Sequence, residues 1–215
     1  MLMEKNLLTQ SSGRVSKRKE SVVRVVHHQR QPFPGSVSIE RLFDEVRAHL
    51  PDYFETELAI CPRFSKGAYP RVINTLTAGK YSADIHHIVG DVHYLAFGLP
   101  PKKTVLTIHD CSILNRLTGW KLKFMRYFWY IGPMRRVANI TTISDAIKVE
   151  LQRKFGRLAD KITVIPNCLR SEFKYTPKPF CLQRPVVLQV GTGWNKNLER
   201  VLQALQGTGG NHTFG

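Results

Sequence analysis

The chain has 215 residues, 42% of them hydrophobic, and a formal net charge of +16. That length holds one domain and a remainder around a sizeable core, and the composition fits a soluble globular protein. No apolar run reaches the roughly 18 residues that span a bilayer, and the first dozen residues lack the ordered parts of a secretory leader. The expected location is therefore cytoplasmic. The positive charge favours anionic partners: nucleotides, nucleic acid or an acidic membrane surface. Cys61, Cys111, Cys168 and Cys181 show no CxxC spacing, so neither a zinc site nor a thioredoxin motif is indicated and reduced thiols are expected.

Residues 1–20 are polar and basic, and read as a flexible tail. Val22 to Val26 reads as a first buried strand, followed by a turn at Pro32 to Ser36. Ile39, Leu42, Phe43, Val46 and Leu50 recur at helical spacing up to Pro51. Phe54 to Ile60 suits a second strand, and Val72, Ile73 and Leu76 mark a short helix ending near Gly79. Ile85–Val89, Thr104–Ile108, Asn139–Ile143 and Ile162–Ile165 read as four more strands. Ser144 is placed to cap a helix whose buried line is Ile147, Leu151 and Phe155, with Gly156 just past its end. Strands alternating with helices predict an α/β domain over residues 21–165, a parallel sheet with helices on both faces.

Residues 166–184 carry three prolines and little periodicity, and read as an interdomain linker. Pro185 to Val190 then suits a strand, and Leu198, Val201, Leu202 and Leu205 put one apolar face on a helix. Residues 185–215 are thus expected to be the start of a second domain, cut short after one strand and one helix. No internal repeat is present.

In an open parallel sheet, ligands bind beyond the carboxyl ends of the strands. Polar groups fall at five such ends: Pro34–Ser36, Gly90-Asp91, His109-Asp110, Thr142–Ser144 and Pro166-Asn167. These ends are expected to converge on one rim. A histidine there can hold a substrate hydroxyl or relay a proton; a solvated or capping His-Asp pair is the plainer alternative. His86 and His87 are neighbours on a strand and point to opposite faces, so they do not suit one metal, and no metal is expected. The turn Gly191-Thr192-Gly193 offers backbone N–H groups to a phosphate at a helix N-terminus, and Lys196 adds a mobile charge. It is neither a P-loop nor a dinucleotide fingerprint, and an ordinary tight turn is the alternative.

Between Asp110 and Asp145 no acidic residue occurs. There Arg116, Lys121, Lys123, Arg126, Arg135 and Arg136 interleave with Trp120, Phe124, Tyr127, Phe128, Trp129 and Tyr130. This suits either a helix in a membrane interface or one that buries its aromatics in the core. Stacking on nucleic acid uses similar residues, but no nucleic-acid motif accompanies them.

In order and spacing, Thr104–Asp110, Thr141–Ser144, Ile162–Asn167, Val187–Thr192 and Lys196–Leu198 resemble glycosyltransferase family 4 (group 1), retaining enzymes of the GT-B fold. The resemblance runs from about Val22 to Gly207. It implies two Rossmann-like domains, with residues 21–165 on the acceptor side and residues 185–215 opening a truncated donor-binding domain. It implies sugar transfer with retention from a nucleotide-sugar donor to a saccharide or lipid-linked acceptor, in polysaccharide or glycoconjugate synthesis, without metal or other cofactor. Under it, Gly35, Ser36, Gly191, Thr192 and Lys196 bind the donor phosphates. His109 positions the transferred sugar and the acceptor, and Asp110 supports it. Apart from the resemblance, Lys121, Lys123 and Arg126 of the basic aromatic segment are expected on the acceptor or membrane side, and the positive charge suggests a peripheral place on the cytoplasmic membrane face. Thr192 stands where many members carry arginine, and the family's Glu-x7-Glu element has no counterpart. A truncated, inactive remnant that binds only membrane or acceptor is the alternative.

Overall fold

The computed structural model describes residues 22–33, 38–183, 185–191 and 196–206. The chain divides into two units, Met1–Ser171 and Glu172–Gly215. The expected tail over residues 1–20 lies outside the described residues.

The first unit is built on six strands: β1 (Val23–Gln29), β2 (Phe54–Ile60), β3 (Ile85–Ile88), β4 (Thr104–Ile108), β5 (Asn139–Thr142) and β6 (Ile162–Val164). They form one sheet in the order β2-β1-β3-β4-β5-β6. Every pairing is parallel. β1 runs three residues beyond its apolar core, through His27, His28 and Gln29, because neighbours pair with it on both sides: Gln29 sits opposite Ile60 and His28 opposite Ile88. Those three polar side chains are buried.

Right-handed crossovers send the chain leftward from β1 to β2 and rightward from there on, so the helices divide between the faces. α1 (Ser38–Ala48) covers one face: Phe43 packs its ring edge-on against His27, His87 and His109. The other face carries the main core. Ile88, Leu106, Ile108, Ile140 and Ile162 meet residues from α2 (Ala68–Ala78), α4 (Gly132–Arg136) and α5 (Asp145–Phe155). α3 (Gly119–Met125) enters α4 through a π-helical stretch, Arg126–Ile131. α5 forms as its sequence predicts: the Ile147 N–H donates to Ser144 Oγ at 3.4 Å, Leu151 is fully buried, Ile147 and Phe155 pack on the core, and Gly156 follows at φ +58°.

α2 forms where expected and ends at Gly79, but the apolar residues that mark it are not its buried ones. Val72 and Leu76 are exposed, and the buried residues are Asn74 and Ala78. Asn74 turns inward because it satisfies the loop before its own helix: it accepts from the Arg63 N–H at 3.0 Å and donates to the Arg63 carbonyl and the Tyr94 hydroxyl, both at 2.9 Å. Ala78 and the glycine after the next 3₁₀ turn permit a close approach; a Cβ on Gly98 would lie 2.6 Å from the Thr75 carbonyl oxygen.

In the second unit, α6 (Leu198–Gln206) forms. The expected strand at 185–190 does not: Val186, Val187, Leu188 and Val190 are exposed and carry no ladder. A strand exists only by pairing, and among the described residues of this unit it has no partner. Residues 165–183 hold neither helix nor strand. No described helix is long and apolar enough to cross a membrane.

The sheet interior holds a network of neutral histidines. Arg47 donates to His27 Nδ1 at 3.3 Å, His28 Nε2 and His86 Nδ1 share a proton at 3.1 Å, and His87 Nε2 bonds Thr107 Oγ1, which bonds Thr141 Oγ1, each at 2.7 Å. Burial, aided by neighbouring basic groups, lowers His27 to about 4 and His28 and His87 to about 3. The unfolded chain protonates these residues near pH 6.5, and the folded chain only near pH 3–4. Stability is therefore complete above pH 6.5 and falls as pH drops through that window. Urea unfolding should show a loss approaching about 1.4 kcal/mol per pH unit for each histidine between pH 6 and 4; a flat profile would contradict neutral burial. Gly98→Ala should cost about 1–3 kcal/mol by forcing α2 outward, read as a lower unfolding midpoint.

Candidate functional site

A cleft of about 230 Å³ opens at the carboxyl ends of the central strands. The end of β1 supplies Arg30, the segment after β3 supplies Asp91 and His93, and the end of β4 supplies His109 and Asp110. Ile39 of α1 and Tyr130 of the π-helical stretch close two of its sides.

His109 is half-buried, and its Nε2–H donates to the Val89 carbonyl at 3.0 Å. That bond selects the tautomer and leaves Nδ1 as an acceptor. Burial holds its pKa below the usual histidine value, against the opposing pull of the Val89 bond. Asp110 has a more local task. Its Oδ1 accepts from the Ser112 N–H at 2.9 Å and the Ser112 hydroxyl at 2.8 Å, closing the 3₁₀ turn Ser112–Asn115. Its carbonyl accepts from the Tyr130 hydroxyl at 3.2 Å. Asp110 thus closes the turn after β4 and also lines the cleft.

Three side chains, Trp129, His93 and Arg30, supply what spacing did not reveal. Asp91 Oδ1 accepts the Trp129 indole N–H at 2.6 Å, across 38 residues of sequence. Trp129 is itself held by the Arg71 guanidinium 4.8 Å from its ring and by Tyr94. His93 donates from Nδ1 to the Trp129 carbonyl at 2.9 Å, and its burial lowers its pKa although Asp91 pulls the other way. Arg30 is steadied by Glu40, with Nε to Oε1 at 2.9 Å, and lies over Phe33. Asp91 was visible as a strand-end residue; the roles of His93, Trp129 and Arg30 depend on contacts that no local pattern encodes.

The expected rim is narrower than five strand ends. Ser144 and Asn167 do not line the cleft; the Ser144 side chain is committed to the first turn of α5. Gly35, Ser36 and Thr192 lie outside the described residues. Gly191 and Lys196 come together in the second unit: Gly191 sits at φ +82°, and a Cβ there would lie 3.3 Å from Lys196 Cγ. Lys121, Lys123 and Arg126 belong to α3 and its continuation, and none lines the cleft. His86 and His87 do face opposite sides, His86 toward His28 and His87 toward His27. Among the described residues no three His, Cys, Asp or Glu side chains gather as a metal site.

An open parallel α/β sheet with a polar cleft at the carboxyl ends of its strands, beside a reversal of strand order, is a Rossmann-like ligand-binding domain. A family model described as Glycosyltransferase Family 4 matches residues 7–173, a span that includes the whole sheet and cleft. The chain belongs to that family, and its sheet is consistent with the N-terminal half of a GT-B fold. No curated protein matches the chain.

If the indole bond holds Asp91 in place, Trp129→Phe should lower stability by about 2 kcal/mol, and Asp91→Ala, which removes the acceptor, should add little to that loss. Denaturant titration of the two single variants and the double variant measures the coupling; fully additive losses would show that the bond contributes nothing.

Proposed function

We propose that the protein transfers a sugar, with retention, from a nucleotide-sugar donor to a saccharide or lipid-linked acceptor in the synthesis of a cell-surface polysaccharide or glycoconjugate. The observation that carries this reading is a neutral, tautomerically defined His109 in a cleft that also presents carboxylates and guanidinium groups. A sugar offers hydroxyls that both donate and accept. His109 Nδ1 can accept from one of them without adding charge. Neutrality matters because positive charge develops on the sugar as its bond to the leaving group breaks, and an imidazolium alongside would oppose it.

The carboxylates of Asp91 and Asp110 give further acceptors for hydroxyls, and Arg30 offers donors. In this reading Lys196 and the turn at Gly191 face the donor diphosphate, where an ammonium and backbone N–H groups favour the negative charge of the leaving group. Gly35, Ser36 and Thr192 join that role through the family resemblance. Lysine and backbone groups supply the positive field, so the reading requires no metal.

The test is His109→Ala, assayed by release of nucleoside diphosphate from a panel of nucleotide sugars. Turnover should fall about 100-fold while donor affinity changes little. Equal losses in turnover and affinity would count against a role in the transition state.

A further inference from the structure

The basic aromatic segment divides into two halves. Trp129 and Tyr130 are buried in the core, as are Pro133 and Met134 of α4. The first half does the opposite. Trp120 is 73% exposed, and Phe124, Tyr127 and Phe128 are also exposed. Positions 120, 124 and 127 follow one another along a single helical face. Phe124 and Phe128 pack at a tilt with ring centroids 4.6 Å apart, and Phe128 meets exposed Phe97 at 6.2 Å, so the aromatic surface continues onto the 3₁₀ turn His93–Phe97. The wider π-helical turn changes the residue register, and at that point exposed Tyr127 and Phe128 give way to buried Trp129 and Tyr130.

We propose that this face of α3 docks on an anionic lipid surface. Lys121 and Lys123 are exposed beside Trp120 and Phe124, and no acidic residue lies between Asp110 and Asp145. Arg126 keeps its charge but is held toward α5, donating to the Lys154 carbonyl and lying 5.3 Å from the Phe155 ring centre, so the two lysines are the charges placed beside Trp120 and Phe124. A short helix with aromatic rings on one side and lysines at its flanks fits the headgroup region, where rings enter the acyl boundary and ammonium groups meet lipid phosphates. Tryptophan and tyrosine favour that boundary because each has an apolar body and a polar handle. Charge complementarity selects lipid over a second copy of the chain, since pairing two such faces would bring like charges together. A convex helix face also lacks the groove in which nucleic-acid bases stack.

The proposal stands apart from sugar transfer, and its test contains no donor. The chain is mixed with phosphatidylcholine vesicles, with or without phosphatidylglycerol, at low and high salt. Binding should require the anionic lipid and weaken with salt. Lys121→Gln with Lys123→Gln should weaken it about 30-fold, whereas Lys66→Gln with Lys80→Gln, which removes the same charge from exposed lysines elsewhere, should change it far less. Brominated lipid should quench tryptophan emission, and Trp120→Phe should abolish most of that quenching. Equal weakening by the two lysine pairs, absence of quenching, tighter binding to an oligonucleotide than to vesicles, or self-association in place of vesicle binding would each overturn the proposal.

Discussion

The cleft exists because β1 pairs in parallel with β2 on one side and β3 on the other. A chain that leaves β1 in one direction and returns past it in the other must place α1 and α2 on opposite faces. The connections therefore diverge at the carboxyl ends of β1 and β3, and a crevice opens between them. Arg30, Asp91, His93, His109 and Asp110 reach it from three neighbouring strand ends. Changing the strand order would scatter them, however well each local segment folded.

The same pairing carries a cost, since it draws polar residues into the sheet. His27, His28, His86 and His87 lie where hydrophobic residues usually stand in parallel strands. Burial is tolerated because each ring is neutral and bonded: to Arg47, to one another, or to a threonine pair that spans β4 and β5. Phe43 of α1 touches two of these rings and also His109. The packing that protects the sheet from protonation is thereby the packing that holds the cleft histidine. Structure and site share one physical condition, the exclusion of water from imidazole.

The segment from Gly119 to Arg136 joins two tasks. Its second half anchors the cleft, through the Trp129 indole on Asp91 and the Tyr130 hydroxyl on the Asp110 carbonyl. Its first half offers aromatic rings and lysines to the exterior. A surface that met lipid there would be connected through one continuous helical segment to residues of the cleft.

The six strands were legible because buried parallel strands leave apolar runs, and α5 because its cap, apolar line and terminal glycine are all local signals. His109 and Asp110 were legible as strand-end residues. Tertiary structure decided what depends on contacts between distant parts of the chain. Spacing marked α2 by Val72, Ile73 and Leu76 but did not say which side faces inward; Asn74 does, because the Arg63 backbone and the Tyr94 hydroxyl need its amide. An apolar run suggested a strand at 185–190, but a ladder needs a neighbour. The hold of Trp129 on Asp91 and of Glu40 on Arg30 joins residues whose types and spacing predict nothing about each other. The amino-acid sequence by itself determined periodicity, caps and the chemical types available at strand ends. Only the packed sheet decided which of those groups meet, because hydrogen bonds and water exclusion act through space.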